Sequence, residues 1–168
     1  RDVVAEDQVE DVRVYYPRKV TLPGGRLGHR NADAFLLGIR GTVRRIHEEW
    51  PFDVIHAHMM VPDGWAAARM GHELGVPAVG TAHRADVLDI PAQGAKSRMR
   101  VAEAIQTLDA VVTVSRAIGD AADAIARPRR PITVVPNGAD AQVFLPRPAA
   151  EARERLGIPD DGPVVSYV

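Results

Sequence analysis

The 168-residue sequence has no cysteine, which excludes a disulfide framework and any thiolate metal site. Lysine is nearly absent, with only Lys19 and Lys96, and the other cations are arginines. That bias reads as genome composition. An excess of one charge is missing too: Lys+Arg 21 against Asp+Glu 22 leaves a formal charge of -1, so no general basic field is available to hold nucleic acid. No apolar run approaches the ~20 residues needed to span a bilayer, and the amino terminus lacks a signal-peptide core. What is present is a globular composition, 46% hydrophobic and 26% charged, in a length that suits one domain with a core. A start at Arg1 rather than methionine reads as a piece of a longer or processed chain.

Along the chain, Val12 to Tyr16 is β-branched and aromatic and ends at Pro17. Residues 21–30 are punctuated by Pro23, Gly24, Gly25 and Gly28 and read as a loop. From Asn31, a candidate N-cap, the residues Phe35, Ile39, Val43, Ile46 and Trp50 recur at helical spacing. Apolar strand-like runs follow at Phe52–His58, Pro77–Ala82, Ala110–Val114 and Ile132–Val135, with helical patterns between them. Gly75 is a candidate helix-ending residue, and Ser115 can cap the helix after the third run. A short helix is expected at Ala149–Leu156, ended by Gly157, and a further strand starts at Pro163. Strand and helix thus alternate every 20–30 residues or roughly so, which predicts an α/β fold, a Rossmann-like three-layer α/β/α parallel sheet with both faces covered.

In such a sheet, ligands bind beyond the carboxyl ends of the strands. The polar residues of this sequence fall at those ends: His56 and His58, His83, Ser115 and Asn137. His56 and His58, two apart on a strand, point to one face. With His83 they form a candidate metal set, although His56 reads equally as core. Arg84 and Asp86 join His83 just past a strand, a group suited to holding a phosphate or carboxylate or to forming a plain surface ion pair. Asp63 is a candidate facing carboxylate. Asn137-Gly138 reads first as a turn and Ser115 first as a helix cap, since no nucleophile elbow surrounds it. No phosphate-binding glycine loop is present. Arg40, Arg44 and Arg45 line one side of the first helix, either a solvated face or a contact for an anionic membrane surface.

Read in order, these pieces resemble the group 1, family 4 glycosyltransferases of the GT-B fold. Phe52-Asp53-Val54-Ile55-His56-Ala57-His58 with Pro62-Asp63-Gly64 is similar to their first motif. Gly75-Val76-Pro77, Thr81-Ala82-His83 and Asp86 are similar to their second. Val112-Thr113-Val114-Ser115 resembles the third, and Val135-Pro136-Asn137-Gly138-Ala139-Asp140 with Phe144 and Pro146 the fourth. Four motifs in the family's order make the likeness specific.

The resemblance implies one half of a GT-B fold. Residues 1–147 would be the acceptor-binding domain, with 148–168 a linker and the start of the donor-binding domain. The parent enzyme would move a sugar from a nucleotide-diphosphate donor to an acceptor hydroxyl with retention, in cell-envelope polysaccharide or glycoconjugate synthesis, without metal or other cofactor. His83 would lie beside the transferred sugar as the catalytic residue, with Asp86, Arg84, Asp63 and His58 on the acceptor or sugar side. Ser115, Asn137 and Gly138 would lie toward the hinge and donor. The expected partners are the nucleotide sugar and a hydroxyl acceptor, with no nucleic acid. The expected location is cytoplasmic, with peripheral contact at the inner membrane face. Arg84 stands where the family has glycine, and Arg116 where an acidic or small residue is common. The family's opening strand with its Gly-rich turn, and its pair of glutamates seven apart, have no match. The chain is therefore expected to be an incomplete acceptor-binding domain that is inactive and self-associates alone. Two other readings remain at this stage: a metal-dependent hydrolase using His56, His58 and His83, and a sugar- or nucleotide-binding module without turnover.

Overall fold

The computed structural model describes residues 5–19, 21, 30–159 and 162–165. The chain divides into two compact units, Arg1–Pro136 and Asn137–Val168. In the first, β1 (Glu6–Val9) and β2 (Val12–Tyr15) pair antiparallel across a turn in which Glu10 takes φ 53°. A four-stranded parallel sheet follows, in the order β3 (Ile55–His58), β4 (Ala78–Ala82), β5 (Ala110–Thr113), β6 (Thr133–Val134). The helices are α1 (Asn31–Glu49), α2 (Trp65–Leu74), the single turn α3 (Ile90–Ala92), α4 (Ala95–Thr107) and α5 (Arg116–Asp123). Wide helical turns at Met60–Gly64 and Ala85–Asp89 lead into α2 and α3. The second unit contains α6 (Ala149–Leu156), closed by Gly157 at φ 65°. Gly162–Val165 form no strand there, and the rest of the strand expected from Pro163 lies outside the described residues, as does most of the loop at 21–30.

The α/β class and the parallel sheet are as the alternation predicts. The strand order accounts for where the helices go. It advances one neighbour at a time from β3 to β6, and right-handed crossovers taken steadily in one direction put every helix on the same face. Ala57, Gly80 and Val111 stand in register on that face. Leu108, at the end of α4, and Met60 fill the space above Gly80. Gly71 of α2 lies against Ala78, and Gly119 of α5 against Thr113 and Val134. The other face carries His58, Thr81 and Val112 in register, and His56, Val79 and Ala110. Apart from Thr81 these are half-buried or exposed. Of the two helical layers expected, the described residues supply one; only a reversal of strand order sends crossovers to the opposite side.

Local expectations divide along the same lines. Gly75 ends α2 in the left-handed conformation, φ 72°, and Ser115 Oγ accepts the Ile118 amide at 3.3 Å as the N-cap of α5. Asn31 is the first helical residue rather than the cap, which is Arg30. Trp50, expected on the apolar stripe of α1, sits past its end and is 69% exposed, because the backbone turns extended there. Trp65 takes the larger role. It is buried, its indole N–H donates to Glu103 at 2.8 Å, and the guanidinium groups of Arg69 and Arg100 lie 3.4 and 4.5 Å from its ring centre. Glu103 also pairs with Arg69 and Arg100, and Arg100 reaches Asp33 of α1 at 2.7 Å. One aromatic ring thus ties α1, α2 and α4 together.

Burial raises the Glu103 carboxyl, but the Trp65 N–H and the two guanidinium groups outweigh it and hold the carboxyl below its ordinary range. A depressed folded-state pKa stabilises above the unfolded value, near ~4.3, and the contribution disappears as pH falls through the folded value. Thermal melts should therefore show the wild-type advantage over Glu103→Gln shrinking as the pH drops below about 4.3. At Gly71 an added Cβ would lie 2.6 Å from the Val76 carbonyl oxygen; at Gly80 it would meet only side-chain ends, Leu108 Cδ1 at 2.5 Å and Met60 Cε at 2.7 Å. Side chains yield more readily than backbone. Gly71→Ala should lower denaturant stability by about 1–3 kcal/mol, and more than Gly80→Ala does.

Candidate functional site

The site is built where β3 and β4 end. Strand alternation sends His56 and His58 to the same open face, and parallel pairing sets them beside Val79 and Thr81. His56 is exposed, not core, and its Nε2 is 2.8 Å from Thr81 Oγ1. His58, the last residue of β3, places Nδ1 3.2 Å from Nε2 of His83, the residue after β4. In such a contact one nitrogen donates and the other accepts. The three imidazoles form a row, with ring centres 4.8 Å apart from His56 to His58 and 5.5 Å from His58 to His83.

Beneath this row lies Asp86, fully buried. Its Oδ1 accepts the His83 amide at 2.8 Å and its Oδ2 accepts the Met60 amide at 2.6 Å. Burial pushes its carboxyl above the ordinary range, while the amides of Met60 and His83 and the nearby His83 ring pull the other way. Between β3 and the turn, Met59 takes φ 77°, a conformation that costs a non-glycine residue on the order of 1–3 kcal/mol. Its amide donates to the Thr81 carbonyl at 2.9 Å, and its carbonyl accepts from Gly64 at 3.0 Å. Asp63, in the same turn, is raised by burial and held back by its own backbone and by the charges of Lys19 and His58. Arg84 is exposed and reaches Asp89 at 2.7 Å.

The structure therefore brings His58, His83 and Asp86 together, with Asp63 within electrostatic reach of His58. Arg84 stands next to them on the chain, with its head turned to Asp89. Ser115 follows β5 at the same carboxyl edge, where its side chain is spent on the helix cap. Asn137 and Gly138 belong to the second unit. Sequence reasoning passed over Lys19, although it is one of only two lysines. It also passed over Met59, whose backbone conformation no composition signal announces. His56, His58 and His83 do not converge as a metal-binding set. Among the described residues no group of three or more His, Cys, Asp or Glu side chains is placed to hold an ion. The arginines of α1 are held as well. Arg40 and Arg44 both pair with Glu73 of α2, and Arg45 with Glu49 and the Tyr15 ring. A cleft of about 630 Å³, lined in part by His72, Pro77, Asp109 and Arg129, opens at the amino ends of β4 and β5, away from the histidine row. Arg129 and Asp109 of that cleft pair with each other at 3.2 Å.

Comparison with known proteins decides the family, because the model of Glycosyltransferase Family 4 matches residues 2–143. The chain belongs to glycosyltransferase family 4. Among its relatives is the D-inositol 3-phosphate glycosyltransferase of Thermobispora bispora, 36% identical over 146 residues, a match covering 80% of this chain and 33% of the relative. The enzyme of the same name from Acidothermus cellulolyticus is 33% identical over 133 residues, covering 70% and 28%. The chain thus spans about a third of the length of these family 4 relatives. In fold it is similar to the sucrose-phosphate synthase of Thermosynechococcus elongatus, with TM-score 0.68 and 17% identity over 96% of this chain and 41% of that one. It is also similar to Anabaena Alr3699/HepE, solved with UDP and glucose, with TM-score 0.57 and 20% identity over 80% and 35%. The GT-B assignment of the sequence reading agrees with these neighbours. No described helix is long and apolar enough to cross a membrane.

At the histidine row, the His56–Thr81 bond gives a direct check on what holds His56. Thr81→Val removes the hydroxyl partner while keeping the shape. The His56 ring should then lose its fixed orientation, seen as averaged imidazole signals in nitrogen NMR, while His58 and His83 keep theirs.

Proposed function

We propose that this chain is the acceptor-side portion of a retaining glycosyltransferase that moves a sugar from a nucleotide-diphosphate donor onto a hydroxyl of a phosphorylated polyol. The observation that carries this reading is the His58–His83 pair at the carboxyl edge of the sheet in a chain of family 4. The relatives named for inositol 3-phosphate support a polyol phosphate as acceptor, and HepE, solved with UDP and glucose, supports a nucleotide-sugar donor. In the reaction the acceptor oxygen bonds to the anomeric carbon, the bond from that carbon to the diphosphate breaks, and the nucleoside diphosphate leaves with the electron pair and takes up the proton that the acceptor hydroxyl gives up. Charge builds on the departing phosphate and has to be met by cations or hydrogen-bond donors. This chain positions the acceptor, and His83 meets the transferred sugar and the hydroxyl that loses its proton.

Two cations suit a phosphate on the acceptor. Lys19 lies within electrostatic reach of Asp63. Arg84 pairs with the exposed carboxylate of Asp89, a pair weak enough to exchange for a phosphate. No further cofactor is needed. The donor's chemistry puts the reaction in the cytoplasm, and the products fit cell-envelope glycoconjugates.

In the intact enzyme, assayed with UDP-, GDP- and ADP-linked sugars, His83→Ala should lower kcat/KM by about 10²-fold or more. An unchanged value would remove His83 from the reaction. Arg84→Ala should raise KM for inositol 3-phosphate about tenfold with donor KM unchanged. Equal use of inositol and inositol 3-phosphate by the wild type would overturn the phosphorylated acceptor.

A further inference from the structure

We infer that Asp86 is a positioning residue, a buried clip that holds the ends of β3 and β4 together so that His58 and His83 share one proton along a fixed line. Its two oxygens accept amides from two different turns, Met60 after β3 and His83 after β4. No other side chain among the described residues is recorded as bonding either amide. The Met60 bond fixes the peptide just beyond Met59, and Met59 at φ 77° is the residue that turns the chain away from His58. The His83 bond fixes the backbone from which the second imidazole projects. With both backbones held, Nδ1 of His58 and Nε2 of His83 meet at 3.2 Å. Because that contact needs one donor and one acceptor, the two rings are coupled in complementary tautomers at the facing nitrogens, and the nitrogens left for a ligand are His58 Nε2 and His83 Nδ1. Asp86 itself is fully buried, so it acts through the histidines rather than on the sugar.

An asparagine at 86 has one acceptor oxygen and one amide donor, so it satisfies only one of the two backbone amides. The test uses the intact protein carrying this chain, labelled with ¹⁵N at histidine and kept at mildly alkaline pH. In wild type, the facing nitrogens His58 Nδ1 and His83 Nε2 should be complementary, the one protonated to the extent that the other is not. In Asp86→Asn that complementarity should be lost as the two rings exchange independently, and in Asp86→Ala added formate should restore it. Facing nitrogens that are not complementary in wild type, or that stay complementary in Asp86→Asn, would overturn the inference. Should both variants fail to fold, hydrogen exchange of the wild type decides. Met60 and His83 amides exchanging as slowly as the core of β4 support the clip, and exchange as fast as exposed turns overturns it.

The activity arm rests on the transferase reading. There Asp86→Asn should lower kcat at least tenfold with donor KM within twofold. An unchanged kcat would show that the coupling has no bearing on turnover and would overturn that part. A wild type that transfers no sugar would sink the transferase reading, while the ring signals judge the clip independently.

Discussion

The arrangement depends on one buried carboxylate, Asp86, held by backbone amides. Asp86 is compensated by two backbone amides from separate turns and by the nearby His83 ring. A buried carboxylate is tolerated only where its hydrogen bonds are complete. Completing them forces the two turns into one relative position. The strained backbone of Met59 is held at the same place, and the imidazole row stands on the result. The geometry of the imidazoles at this edge is therefore set by the backbone beneath it.

The sheet supplies the platform through small residues. Ala57, Gly80 and Ala82 line the covered face of β3 and β4, which lets Leu108 and Met60 come down close above the strands. The helical layer is then tied across its width by Trp65 and its two guanidinium partners. Because Trp65 begins α2 directly after the Met60–Gly64 turn, that cluster holds the far end of the turn whose near end Asp86 holds.

Much of this was legible in the sequence. Apolar runs separated by helical patterns gave β3 to β6 within a few residues, and glycine and serine marked the ends of α2, α5 and α6. Placing the histidines at strand ends needed only the rule for parallel sheets, and His58 and His83 do meet. The missing parts are those set by partners distant in sequence. The antiparallel partner of β2, Glu6–Val9, lay in a polar stretch with no strand signal. The exposure of His56 depends on what covers one face of the sheet, which periodicity does not report. Asp86 read as a ligand-facing acid because nothing in a sequence says whether a carboxylate will face solvent or amides.

The two tryptophans occupy opposite surroundings, Trp50 at 69% exposure and Trp65 at 3%. Their fluorescence should separate accordingly: a water-borne quencher reaches the first, while the second emits from beside two guanidinium groups at the entrance to α2. The molecule thus carries its own optical gauge of whether the turn beside the histidines is seated.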